Sequence, residues 1–392
     1  MSYRIPLAVC TYGEEEYAAA DAVLRSGRVK MGERVREFEE LVARDYGVAD
    51  AVMVSSGSMA DLLAYAAMMQ PRGNRTVKPG DEIIVPAVTW ATQVWPVAQL
   101  GAVPVLIDVD ATTLGMDPEM LGPALTPRSK AVSVAHLLGN PAAVLPIAAF
   151  CDRWGLDLIE DCCEALDAKV NGQPCGTFGR FGTFSFHFSH HISTVEGGMI
   201  LCRDRLDASI LRSLRSHGLT RNMDRDQREA AEQLHPDVDS RFLFLTAGWN
   251  AQPTEMAAAL GLVQWGKRLE WRERRRAIAA RWESVTEDSV SFLRFHFADE
   301  ANPFAFPLIL PRDARMTKRE LMASLEGAGI ETRPIVAGNL GLQPAMHDVP
   351  HRFGRSLAGT DTLHERGCYI GIHPLMEEAD VEYVADTLER MR

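Results

Sequence analysis

Between about residues 50 and 203, short apolar runs alternate with helix-patterned segments, and this alternation limits the fold more than any other feature of the chain. "AVMVSS" leads into "GSMADLLAYAAMM", "DEIIVPAV" into "TWATQVWPVAQLG", and "VPVLIDVD" follows. "KAVSVAHLLGN" precedes "AAVLPIAAFCDRWG", and "LDLIEDCC" comes next. Strands that are apolar without alternation are buried on both faces, which requires a mostly parallel sheet covered by helices. "GTFSFHF" and "GGMILCR" complete that sheet. With 392 residues the chain exceeds one small core. We expect an α/β architecture with a large domain over 1–265 and a smaller α+β domain over 266–392. The long helical pattern "PTEMAAALGLVQWGKRLEWRERRRAIAARWESV" bridges them. The polar segment 222–240 has no clear periodicity and reads as an irregular loop.

A net charge of −12 and the absence of a basic run argue against a general affinity for nucleic acid. "MSYRIPLAVCTYGEEEY" lacks the apolar core of a signal peptide, and no apolar run is long enough to cross a membrane, so the chain reads as cytoplasmic. Seven cysteines without paired spacing are expected to stay reduced. Neighbouring Cys162 and Cys163 point to opposite faces of a strand, which favours packing over a shared metal. The "RERRRA" run at 272–277 reads as a solvated helix face.

Ligands of open α/β sheets gather at the carboxyl ends of the strands. There "VSSGSMA" gives a strand, a glycine turn and a helix start, suited either to ordinary capping or to a phosphate on the helix amino terminus. "LIEDCCEA" ends a buried strand on two acids facing opposite ways, and Asp161 is taken to enter the site. A buried carboxylate there calls for a cation, and a protonated pyridine ring is one. Trp90, after "VPAVT", is placed either to stack on such a ring or to pack in the core.

The set "SSGSMA", "VPAVTW", "IEDCCEAL" and "FGTFSF……STVEGG" resembles the fold type I sugar aminotransferases, which use pyridoxal phosphate. In that family a serine-phenylalanine pair, three variable residues and the Schiff-base lysine are followed, six positions on, by glutamate-glycine-glycine. Counting from Ser185-Phe186 and back from Glu196-Gly197-Gly198 lands on His190. The chain's six lysines, Lys30, Lys78, Lys130, Lys169, Lys267 and Lys318, all lie elsewhere. Imidazole has no primary amine, so the cofactor must be held without a covalent bond. With an ordinary pKa near 6.5, histidine suits general-base work at neutral pH. A base that removes the cofactor proton without lysine's return delivery leaves the electrons free to expel a neighbouring hydroxyl.

"FSHHISTVEGG" resembles a narrower family, the 3-dehydratases of deoxysugar biosynthesis, and within it the colitose-pathway branch that acts on GDP-4-keto-6-deoxymannose. "HLLGNP", "RSHGLTRN", "GWNAQPTEM" and "IETRPIVAGN" extend the likeness over nearly the whole chain. The resemblance implies pyridoxamine 5'-phosphate or pyridoxal 5'-phosphate as cofactor, a nucleotide-sugar substrate, L-glutamate as amino donor and a homodimer with shared active sites. It implies that Gly57, Ser58 and Ser185 hold the phosphate, Trp90 stacks on the ring and Asp161 pairs with its nitrogen. Glu164 would lie near the ring hydroxyl, and Asn250 would reach the phosphate from the other subunit. His190 would be the base, His217 a second active-site histidine, and Arg333 a substrate contact. A related branch acting on CDP-linked sugars carries an iron–sulfur cluster, whose close-set cysteines have no counterpart after His191, so no cluster is expected. His187 is open to a site or a core role, and His191 reads as support for its neighbour. Two other functions compete: an aminotransferase-like protein weakened by loss of its lysine, and a non-catalytic binder.

Overall fold

The computed structural model describes residues 3–71, 75–287 and 292–391. Among these the strands run, in chain order, β1 (Asp50–Val54), β2 (Glu82–Pro86), β3 (Val103–Ile107), β4 (Ser129–Ala135) and β5 (Asp157–Asp161). A two-residue hairpin, β6 (Lys169–Val170) with β7 (Gln173–Pro174), precedes β8 (Phe181–Ser185) and β9 (Gly198–Cys202). Then come β10 (Ala305–Ile309), β11 (Thr332–Pro334), β12 (Arg352–Phe353) and β13 (Gly367–Gly371). Eight of them form one sheet in the order β1-β9-β8-β5-β4-β2-β3-β12. All neighbours are parallel except that β9 runs antiparallel to both β1 and β8. Every residue of β2, β5 and β9 is buried, as unbroken apolar runs covered on both faces require.

From β2 the chain steps outward to β3, whereas β4, β5 and β8 lie on its other side. The order therefore reverses between β2 and β4, and a crevice opens at the carboxyl ends of these strands. Pro86, Ala135, Asp161 and Ser185 end at that rim, and the start of antiparallel β9, Gly198, lies beside Ser185. The sequence motifs, scattered over 140 residues of chain, converge there for this topological reason.

The helix Glu255–Glu287 has 33 residues, about 50 Å at 1.5 Å per residue, and runs across position 265/266. Its first turns pack Ala258 and Trp265 against Phe38 and Phe186; its last pack Ile278, Trp282 and Val285 against a three-stranded antiparallel sheet, β10-β13-β11. Residues beyond the long helix return to the amino-terminal part of the chain: Ile330 bridges Ile5, Asn339 bridges Val88, and β12 pairs with β3.

Three readings of the sequence need correction. The segment 222–240 contains a helix, Arg225–Leu234, in which only Ala231 is buried. With no apolar stripe to give it periodicity, it draws on the i,i+4 pairs Arg225–Glu229 and Arg228–Glu232. The strand read as "GTFSFHF" stops at Ser185, where the chain leaves the sheet. Within "RERRRA", Arg275 is buried and donates to the carbonyls of Phe304 and Ile372, so this helix face is solvated only in part.

Candidate active site

The site begins as a turn too tight for side chains. After β1, Ser56 caps the helix Gly57–Met68, its hydroxyl accepting from Met59 N–H. A Cβ on Gly57 would sit 2.4 Å from Ser185 Cβ, and one on Gly198 2.4 Å from Ser56 O. Glycine at these positions lets the helix terminus, the end of β8 and the start of β9 touch. The result is a helix amino terminus flanked by Ser58 and Ser185 hydroxyls, which suits an anion.

This turn floors a cleft of ≈ 700 Å³ whose lining includes Gly57, Ser58, Trp90, Asp161, Glu164, Ser185, His190 and Arg333. The structure thus brings together eight of the ten residues singled out in the sequence. Trp90 is 57% exposed, open to the cleft rather than packed in the core. Asp161 is 7% exposed, accepts Cys163 N–H at 2.9 Å, and is pushed above the usual carboxylate range, chiefly by burial. Its neighbour Glu160 faces the other way and is fully used: it accepts from Gly176, Phe178 and Gly179 N–H groups and pairs with His136 Nε2 at 3.1 Å. One acid therefore braces the scaffold while the other addresses the cleft. Glu164 accepts Leu138 N–H at 2.8 Å, and burial raises its carboxyl to about 7.

His190 sits half-buried in the cleft wall, on a turn closed by its N–H to His187 O at 2.9 Å. Its ring packs edge-on against Phe304, centroids 5.4 Å apart. Burial first, then the charge of His187, lowers its pKa to about 4, so it is neutral and able to accept a proton at pH 7. The exposed His187 lies 5.6 Å away by ring centroids, with Nε2 3.7 Å from Glu196. His191 turns away from the cleft, 4% exposed, with Nε2 donating to Asn302 O at 3.0 Å. None of the six lysines lines the cleft. Lys267 pairs with Glu15 and Glu16, and Lys318 donates to His364 O.

His217 and Asn250 do not line the cleft of their own chain. Both are exposed and lie beside each other: Ser216 and Asn250 form a bridge, and His217, at φ 64°, donates its N–H to Trp249 O. The sequence reading missed Glu331, which fixes Arg333 through a 2.8 Å ion pair while its other oxygen accepts Leu7 N–H. The i,i+2 spacing of "ETR" on a strand carries that signal. Phe304 and Tyr369, which close the cleft from the small unit, had no local signal.

The donors and acceptors present fit a pyridoxal-type cofactor: an anion cradle, an acid in need of a cation and an aromatic face lie around one cleft. Residues 11–389 match the DegT/DnrJ/EryC1/StrS aminotransferase family. A GDP-4-keto-6-deoxy-D-mannose 3-dehydratase of Escherichia coli O55:H7 is 35% identical over 385 residues, spanning 98% of this chain and 99% of the relative. The solved structure of the E. coli GDP-4-keto-6-deoxy-D-mannose-3-dehydratase with bound hydrated PLP superposes with a TM-score of 0.92 at 34% identity, covering 99% of this chain and all of that one. A GDP-4-keto-6-deoxymannose-3-dehydratase with a trapped PLP-glutamate geminal diamine matches at 0.91 and 34%, over 98% of this chain and all of that one. The chain belongs to the DegT/DnrJ/EryC1/StrS aminotransferase family.

Proposed function

We propose that this protein is a pyridoxamine-phosphate-dependent 3-dehydratase. Its substrate is a nucleotide-linked 4-keto-6-deoxy sugar, GDP-4-keto-6-deoxymannose, and L-glutamate is its amino donor. The observation that carries the reading is a cleft that gathers the anion cradle, Asp161 and Trp90 with His190, and no lysine, at its wall. When bound, the cofactor supplies the electron sink that lets a proton leave the carbon beside its ring and a hydroxyl leave the adjacent sugar carbon. Gly57, Ser58 and Ser185 hold its phosphate, Trp90 covers its ring, Asp161 pairs with its nitrogen and Glu164 lies by its hydroxyl. His190 takes the proton and, lacking a primary amine, neither tethers the cofactor nor completes amino transfer to the sugar; its proton assists departure of the hydroxyl. Arg333, steadied by Glu331, contacts the substrate from the small unit.

His217 and Asn250 share an exposed ledge beside a segment that also exposes Phe242 (63%) and Phe244 (52%). Paired apolar exposure of this kind suits a second copy of the chain, and we place these two residues in the partner's cleft, Asn250 at the phosphate and His217 at the sugar. The same reading places the enzyme in the cytoplasm; no helix among the described residues is long and apolar enough to cross a membrane.

The test is a product mass spectrum from protein mixed with pyridoxal phosphate, glutamate and GDP-4-keto-6-deoxymannose. The expected result is loss of one oxygen from the sugar, with ammonia and 2-oxoglutarate. Replacement of the oxo group by an amino group would refute the role given to His190.

A further inference from the structure

Beside Asp161 lies a second buried carboxyl group, that of Asp61. Asp61 sits on the helix Gly57–Met68, 1% exposed, one turn beyond the phosphate cradle. One of its oxygens, one of Asp161 and the Cys163 sulfur lie within 4.8 Å of one another. Asp61 Oδ1 accepts from Thr183 Oγ1 at 2.6 Å, whereas Oδ2 is buried and forms no hydrogen bond. An ionised carboxylate with one bare oxygen in an apolar interior is costly, and two ionised carboxylates this close repel. The same oxygen carrying a proton becomes a donor in need of an acceptor, and Asp161 is the neighbouring carboxylate, with an oxygen within 4.8 Å of one of Asp61.

We propose that Asp61 is a positioning residue of the ring-nitrogen site: held as the neutral acid, it donates a hydrogen bond to Asp161 and so keeps Asp161 ionised for the ring nitrogen. The inference rests on the reading of Asp161 given above. The groups around Asp61 agree with it. Asp161, Cys163 and Tyr65 face it and add no positive charge, while the Thr183 and Thr92 hydroxyls stabilise its charged form only in part. Burial and Asp161 together drive its carboxyl well above the ordinary range. Asp161 meanwhile has the Cys163 N–H to favour its charge, and a donated proton from Asp61 adds to that. One negative charge then remains to meet one protonated ring, which is electrically balanced.

The test compares wild type, D61N, D61A and D161A loaded with pyridoxal phosphate carrying ¹⁵N in the ring. The ¹⁵N resonance reads ring protonation directly, and an absorbance titration gives cofactor Kd. An asparagine N–H can donate to Asp161 as the acid does, so D61N should keep the resonance position and stay within about threefold of wild-type Kd. D61A should move the resonance toward the unprotonated ring and weaken the cofactor about tenfold, the size of one hydrogen bond to a charged group. A D61N protein that behaves like D61A, or a D61A protein that behaves like wild type, overturns the proposal. If D161A moves the resonance and D61A does not, this inference alone falls; if D161A leaves it in place, the reading of Asp161 falls first. Infrared difference spectra of the cofactor-free proteins at neutral pH give a readout that survives failure of D61A to fold. Wild type should show a protonated-carboxyl band that D61N lacks, and its absence would refute the neutral acid.

Discussion

At His190, burial and charge decide what the side chain can do. An exposed imidazole would be partly protonated at pH 7; this one, pushed down to about 4, is a free base throughout the neutral range. His190→Asn should lower turnover by about 10²–10⁴-fold, the usual worth of a general base, while leaving cofactor absorbance in the bound protein. His190→Lys restores a primary amine and should trap the cofactor covalently, seen as an added cofactor mass after borohydride treatment. A mutant mass equal to bare protein would move the base elsewhere. His191 makes a different prediction. Its pKa is also lowered by burial, so the unfolded chain binds a proton below pH 6.5 that the folded chain refuses. Unfolding free energy therefore falls as pH drops below that value, and His191→Asn should make the decline shallower by up to about 1.4 kcal/mol per pH unit. Urea unfolding at a series of pH values checks it.

At the scale of elements, the cleft depends on three chain segments meeting without side chains between them. Gly57→Ala places a methyl carbon against Ser185 and beside the Cys163 sulfur, where the backbone of the helix start and of β8 must both give way. The expected cost is about 1–3 kcal/mol of stability, the range for overpacking, together with weaker cofactor retention. Thermal melting with and without cofactor separates the two effects. The helix Arg225–Leu234 is the opposite case. It buries almost nothing in its own chain and carries a 76% exposed Leu234, so local stability alone does not account for its apolar residues.

For the whole molecule, that surplus of exposed apolar surface points outward. Leu234, Phe242 and Phe244 lie on the same stretch of chain as His217 and Asn250. If the proposed dimer forms through this surface, Phe242→Glu combined with Phe244→Glu should shift sedimentation from dimer to monomer. If Asn250 acts across the interface, cofactor affinity should fall with it; a dissociated chain that binds cofactor as before would confine Asn250 to its own subunit. One helix of 33 residues packs against residues of both sheets, and Phe304, Arg333 and Tyr369 line the same cleft as the strand ends of the large sheet.

Much of this was legible in residue order. Unbroken apolar runs required a sheet buried on both faces, and strand parity separated Glu160 from Asp161, as their partners bear out. The resemblance to the sugar aminotransferases led to His190, because that family's spacing between strand end, turn and glycine pair can be counted along this chain. The helix at 225–234 was not legible, since its periodicity rests on ion pairs rather than on an apolar stripe. Asp61 carried a faint signal, an acid inside the otherwise apolar "MADLLAYAAM", but its meaning depends on Asp161, 100 positions away in the chain. The amino-acid order by itself determined the sheet and the glycine turn at its rim, because unbroken apolar runs and a strand–turn–helix pattern are local; the position of the missing lysine came with the family resemblance. Only the tertiary structure decided which acids share one buried volume, that Trp90 lies open to the cleft, and that His217 and Asn250 stand on an outer ledge. These are questions of burial and through-space distance, set when remote segments pack together.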